Sequence, residues 1–158
     1  MSTRLTQMGT PMVESQTLKL VMAASSVTEQ ISHYLSQNLQ NMGYAGASTS
    51  VLQFLSALDC GINYGSEIAR TLKVSRQMVA KTVKQLSALG YLQQIEGQGK
   101  QKQIVFTQQG ELLMADSRKL LAQLDGKLAN RGNENTWPLL IEQLNQLSNI
   151  LADASELA

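Results

Sequence analysis

The sequence has a single cysteine, Cys60, and a single histidine, His33. One cysteine excludes an internal disulfide and suits a reducing compartment. One histidine, with no Cys/His/carboxylate cluster at metal-ligand spacing, leaves no metal site to read. Aromatic residues make up only 4% of the chain, so Leu, Val, Ile, Ala and Met must build most of the core. That composition favours helices, because Leu, Ala, Gln, Lys and Met are good helix formers and β-branched residues are comparatively few. No uninterrupted apolar run approaches the roughly 18 residues of a membrane-spanning helix. Arg4 is followed by no apolar block of signal-peptide length. No Ser/His/Asp or Cys/His set is evident, and the Gly97-Gln98-Gly99 pair of glycines reads as a hairpin tip, not a nucleotide loop. No catalysis and no cofactor is therefore expected. Low-complexity segments and solenoid-length repeats are also absent. The 158 residues are read as a soluble, cytoplasmic protein of one domain, or one domain with appended helices.

What is present is an uneven charge distribution. The net charge is only +1, yet residues 66–106 hold Arg70, Lys73, Arg76, Lys81, Lys84, Lys100 and Lys102 against Glu67 and Glu96. Seven bases and two acids give that stretch +5 and leave −4 on the rest. A basic module on an acidic frame is what a phosphate-binding surface produces. Solvated helix faces that happen to be basic would give the same count.

The same stretch, Ser66 to Thr107, has the order helix, tight turn, helix, strand, glycine-bearing tip, strand. Two helices on a short turn followed by a β-hairpin predict a winged helix-turn-helix, which usually reads DNA. Ser66 is expected to cap the first helix, with Ile68, Ala69 and Leu72 inward. Lys73 falls where a left-handed backbone would favour Gly, at a cost of roughly 1 kcal/mol. Ser75 is expected to cap the next helix, 76–89. There Val79, Val83, Leu86 and Leu89 point to the core, Met78 and Thr82 flank them, and Arg76, Gln77, Ala80, Lys81 and Lys84 share the opposite side. Gly90 closes the helix. Tyr91–Ile95 and Ile104–Thr107 supply the strands, and Gly97 and Gly99 the turn.

The flanking segments are helical. Leu20, Ala24, Val27, Ile31, Tyr34, Asn38 and Met42 recur at alternating four- and three-residue steps, and Val21, Leu35 and Leu39 widen the stripe. A helix apolar on two sides needs its own domain and something else to pack against. Gly43 and Gly46 end it. A second helix is expected from Ser48–Ser50, where Ser50 and Gln53 have capping-box spacing. Val51, Phe54, Leu55 and Leu58 line its inner side and Gly61 terminates it. Ile62-Asn63-Tyr64 is a candidate third strand. From Thr107 or Gln108 a longer helix carries Leu113, Leu120, Leu124 and Leu128, and Arg131-Gly132-Asn133 breaks it. Asn135-Thr136-Trp137-Pro138 starts the last helix, which continues Leu140, Leu144, Leu147, Leu151, Ala154.

In this order of elements, SEIARTLKVSRQMVAKTVKQLSALGYL followed by IVFTQQGELL resembles the MarR family of bacterial transcription regulators, over roughly residues 17–157. The fold so implied is mainly α with a small β-hairpin wing: a winged helix-turn-helix with N- and C-terminal dimerisation helices. The implied parts are a mobile arm at 1–16, a dimerisation helix at 17–46, the DNA-binding unit at 47–107 and C-terminal dimerisation helices at 108–158. The resemblance implies a homodimer whose terminal helices interlock, acting as a ligand-responsive repressor of a pseudo-palindromic operator on double-stranded DNA. It also implies a crevice for a small aromatic or anionic effector, here drawing on His33, Tyr34, Met42, Phe54 and Leu55. Plain core packing is the alternative for those five. The wing departs from the family: Gln98-Gly99-Lys100-Gln101-Lys102 has no Arg, and Lys is a poorer minor-groove probe.

The candidate DNA-contacting residues are Ser75, Arg76, Gln77, Lys81, Lys84, Lys100 and Lys102. Arg76 and Gln77 stand where N-terminal recognition-helix residues reach base edges. Arg suits guanine O6/N7 and Gln adenine N6/N7. Lys81 is suited to a base edge, Lys84 and the wing lysines to phosphates, and Ser75 combines capping with a phosphate contact. His33 is read as a satisfied helix histidine before a ligand contact or pH sensor. Cys60 is read as a buried structural cysteine before an oxidant-sensing thiol. A winged-helix module binding an acidic protein partner is the competing reading of the whole chain.

Overall fold

A computed structural model of the chain describes residues 14–97, 99, 101–131 and 135–156. The elements are α1 (Gln16–Asn41), α2 (Thr49–Asp59), α3 (Gly65–Thr71), α4 (Arg76–Ala88), β1 (Leu92–Glu96), β2 (Lys102–Phe106), α5 (Gln108–Ala129) and α6 (Thr136–Glu156). This is the mainly α winged architecture expected. Most of the expected arm at 1–16 lies outside the described residues, as do Gln98 and Lys100 of the wing tip.

Side-chain caps start most of these helices. Ser15, Ser48, Ser75 and Thr107 each accept a hydrogen bond from the backbone N–H three residues on, satisfying one of the donors a helix start leaves unpaired. Two expectations are corrected here. The cap of α2 is Ser48 and not Ser50, whose hydroxyl lies 3.2 Å from that of Ser48. α3 begins two residues earlier than expected, with Tyr64 at the cap position and no side-chain cap, so Ser66 lies within the helix. Tyr64 is held there by bridging to Gln103 of β2, with Ile104 N–H donating to Asn63 O at 2.9 Å. The candidate third strand is thus one bridge, enough to anchor the start of α3 to the wing.

Lys73 has φ of 53°, the left-handed turn expected between α3 and α4. The hairpin pairs Leu92 with Phe106 through Glu96 with Lys102, antiparallel. Tyr91 does not join the strand; it is buried in the core instead.

The core draws on each of the first five helices and the wing, most heavily on α2, and Leu39, Leu55, Ile68, Leu86, Tyr91, Ile104 and Leu113 are fully buried. The periodicity of α4 is realised, with Val79, Val83 and Leu86 inside and Leu89 half-buried. Met78, expected to flank them, is 55% exposed, because its position carries it past the edge of the buried stripe. Cys60 is also exposed, correcting the expectation of burial: it caps α2 beyond the last inward residue, Leu58.

The terminal helices contrast with this. Every residue of α1 from Val21 to Gln30 is exposed, and α6 packs extensively on no other described element. Leu139, Leu140, Ile141, Leu144, Ile150 and Leu151 of α6 are exposed, as are Leu18, Val21, Met22 and Val27 of α1. Among the described residues no helix is long and apolar enough to cross a membrane.

Candidate nucleic-acid interface

The geometry of α4 follows from its sequence. Apolar residues at 79, 83 and 86 pin one stripe to the core, so 76, 77, 80, 81 and 84 must face outward at helical spacing. Arg76, Gln77, Ala80, Lys81 and Lys84 are all exposed. Ser75 Oγ accepts from Met78 N–H at 3.1 Å, fixing the first turn that carries Arg76 and Gln77. The side chains of Arg76, Gln77, Lys81, Lys84 and Lys102 make no hydrogen bond or ion pair to other described residues. An unengaged row of cationic and amide side chains on one helix face can meet phosphates and base edges.

Clefts run along both sides of this helix, so its outer face stands as a ridge. One, of about 480 Å³, separates α4 from the wing and is lined by Tyr64, Ser66, Arg76, Ala80, Gln94 and Lys102 among others. The other, of about 420 Å³, lies toward the start of α2 and is lined by Ser48, Ser50, Phe54, Met78, Lys81 and Gln85 among others. An α-helix is about 10–12 Å across with its side chains, close to the roughly 12 Å of the B-DNA major groove. Lys102 is brought to the same side as Arg76 by the first cleft, and its register partner is Glu96, an acid that tempers the wing's charge. Tyr64, Ser66 and Gln94 have no expected place in the site from sequence. Their only signal was the candidate strand 62–64, which places Tyr64 against β2.

The five residues expected to meet an effector are spread out. Leu55 and Phe54 are buried in the core, Phe54 also lining the cleft beside α4. Tyr34 is half-buried with Lys127 Nζ 5.4 Å from its ring centroid, a cation–π contact. His33 and Met42 are exposed on α1 and its cap. Among the described residues there is no group of three or more His, Cys, Asp or Glu side chains placed to hold a metal.

No protein-family model matches the sequence, and no curated protein matches it. Solved structures do match. The Streptococcus pneumoniae FabT in complex with DNA superposes with a TM-score of 0.72 at 14% identity, covering 88% of this chain and 99% of that one. A MarR transcriptional regulator from Methanosarcina mazei gives 0.68 at 15% identity, covering 91% and 94%. A mutant E. coli MarR complexed with operator DNA gives 0.66 at 14% identity, covering 84% and 95%. The chain has the winged helix-turn-helix fold of the MarR family of transcription regulators.

Proposed function

We propose that this chain is a DNA-binding transcription regulator that acts as a homodimer, reading a short pseudo-palindrome through α4 and repressing by occluding the promoter. The observation that carries the reading is the α4 ridge: Arg76, Gln77, Lys81 and Lys84 exposed, unengaged and flanked by clefts. Arg76 and Gln77 supply base reading, Lys81 a base edge, and Ser75, Lys84, Lys100 and Lys102 phosphate contacts. Two solved structures of the same fold contain DNA, which supports the assignment.

The dimer is supported by apolar surface. The exposed Leu and Ile residues of α6, and those on the free half of α1, form stripes that a monomer would leave in water. A second copy is the partner that presents matching stripes. A two-fold dimer then places two α4 ridges about one helical turn of DNA apart, roughly 34–36 Å. Response to a small aromatic or anionic effector belongs to the same reading and takes its support from the resemblance alone.

Selection of binding sites from random duplex DNA, followed by titration at two salt concentrations, tests this. A recovered pseudo-palindrome supports it. Salt-sensitive binding with no sequence preference, or capture only of acidic proteins, overturns it in favour of a protein-interaction module. In the same titrations Lys102→Ala weakens all duplexes alike and flattens the slope of log K against log salt by about one unit per half-site, as loss of one phosphate contact in each protomer requires. An unchanged slope removes Lys102 from the interface.

A further inference from the structure

We propose that the Tyr44–Asp116 hydrogen bond is a positioning contact that sets where the α4 ridge sits relative to α5, and through it the half-site spacing the dimer accepts. This rests on the reading of the chain as a DNA-binding dimer.

The contact arises from the loop between α1 and α2, Met42-Gly43-Tyr44-Ala45-Gly46-Ala47-Ser48. Gly43 and Gly46 hold φ of +93° and +70°, conformations that fold the loop back on itself, and Tyr44 N–H donates to Leu39 O at 3.0 Å. The loop so shaped touches both the DNA-reading unit and α5. On one side, Tyr91, at the foot of the wing, donates its hydroxyl to Ala45 O at 3.0 Å. A Cβ on Gly46 would lie 2.9 Å from Leu89 Cδ1, at the end of α4. On the other side, the Tyr44 hydroxyl donates to Asp116 Oδ2 at 2.6 Å on α5. The Tyr44 and Tyr91 rings lie 6.4 Å apart, tilted by 49°, which joins the two sides.

Asp116 is made a persistent acceptor. Lys119 Nζ donates to its Oδ1 at 2.8 Å, so both carboxylate oxygens are engaged. The Lys119 and Tyr44 hydrogen bonds hold the carboxyl below its ordinary value. The same bond to Asp116, with burial second, pushes the Tyr44 hydroxyl up to about 12. A hydrogen bond to an ionised acceptor is among the stronger side-chain contacts. The nearby tie between Arg118 of α5 and Asp59 at the end of α2 departs from α5 about 200° round the helix from Asp116. It is a mostly exposed ion pair, so the Tyr44 contact is the better fixed of the two.

Spacing is sensitive to this joint because the two-fold axis doubles any displacement. A shift of about 1.7 Å in each protomer changes the ridge separation by one base-pair step of about 3.4 Å. The core residues of the winged unit, Ile68, Val79, Val83, Leu86 and Ile104, have apolar side chains, so none of those side chains hydrogen-bonds to the Tyr44 hydroxyl.

The experiment uses full-length protein and duplexes carrying the selected half-sites at the selected spacing and at one base pair more or less. Tyr44→Phe keeps the ring and removes the hydrogen bond. It is expected to reduce the affinity ratio between best and neighbouring spacings by about tenfold, the weight of a hydrogen bond to a charged group. Binding to a single half-site is expected to stay at the wild-type value. Asp116→Asn retains one neutral acceptor and keeps part of the spacing ratio, whereas Asp116→Ala loses it as Tyr44→Phe does. Lys119→Ala keeps it. An unchanged ratio in both Tyr44→Phe and Asp116→Ala overturns the inference. Equal loss on half-site and full-site duplexes does so too, since that marks a merely structural role. A wild-type protein indifferent to spacing withdraws the dimer reading itself.

Discussion

Arg76→Ala is expected to lower affinity for the selected palindrome by about ten- to a hundredfold per half-site, and random duplex by a few-fold at most. The reasoning starts from the first turn of α4. Ser75 caps that turn and aims Arg76 outward beside the wing cleft, where no described residue engages its guanidinium. A bidentate Arg–guanine contact is worth about 1–3 kcal/mol of discrimination, while a phosphate contact alone discriminates nothing. The result that separates these is therefore the ratio of specific to random binding, read by fluorescence anisotropy at fixed salt. Arg76→Lys is expected to recover the random component and little of the specific one, because an ammonium lacks the planar fork. If Arg76→Ala and wild type show the same ratio, α4 is not reading bases at this position.

The second large effect falls on stability. Gly110 lies in the first turn of α5, beneath the foot of the wing, and a Cβ there would stand 2.1 Å from Tyr91 O and 3.0 Å from the Phe106 ring. The joint is tightly made: Thr107 N–H donates to Tyr91 O at 3.0 Å, and the Thr107 hydroxyl donates to Gly90 O while accepting from Gly110 N–H at 3.1 Å. A backbone carbonyl cannot swing aside as a side chain can, so the first turn of α5 must move away from Tyr91. Gly110→Ala is expected to cost about 3 kcal/mol, at the upper end of overpacking changes, and to lower Tm by roughly 6–12 °C for a chain of this size. Gly126, in the same helix, has open space around it. Gly126→Ala is expected to stabilise by about 0.5–1 kcal/mol through helix propensity. Thermal unfolding followed by circular dichroism tests both; a Gly110→Ala protein as stable as wild type would contradict the close approach.

The same joint shows which part of a motif can be read without coordinates. The run IVFTQQGELL marks Thr107 as a helix start by its chemistry, and α5 begins after it. That Gly110 must be Gly could not be read there, because the obstacle is the carbonyl of Tyr91, many residues earlier. Caps behave alike. Ser75 is legible from its position before a periodic helix, whereas the choice of Ser48 over Ser50 depends on where α1 and its loop deliver the chain. α3 shows the limit most plainly: its start is held by the Tyr64–Gln103 bridge, and a local reading placed the cap two residues late. Met78 and Cys60 were misplaced at the edges of apolar stripes, where burial turns on what packs alongside.

What the sequence alone determined is whatever depends on spacing along one element. The two-faced pattern of α4 was enough to separate Val79, Val83 and Leu86 from Arg76, Gln77, Lys81 and Lys84, because helical geometry maps residue spacing directly onto faces. The left-handed Lys73 and the helix order were legible for the same local reason. Only the tertiary structure decided what distant segments do to one another. It brought Arg76, Tyr64 and Lys102 around one cleft, set Gly110 against Tyr91, and passed the Tyr44 hydroxyl to Asp116 across 72 residues of sequence. Those contacts are fixed by the packing of the whole core, and no periodicity within a single element encodes them.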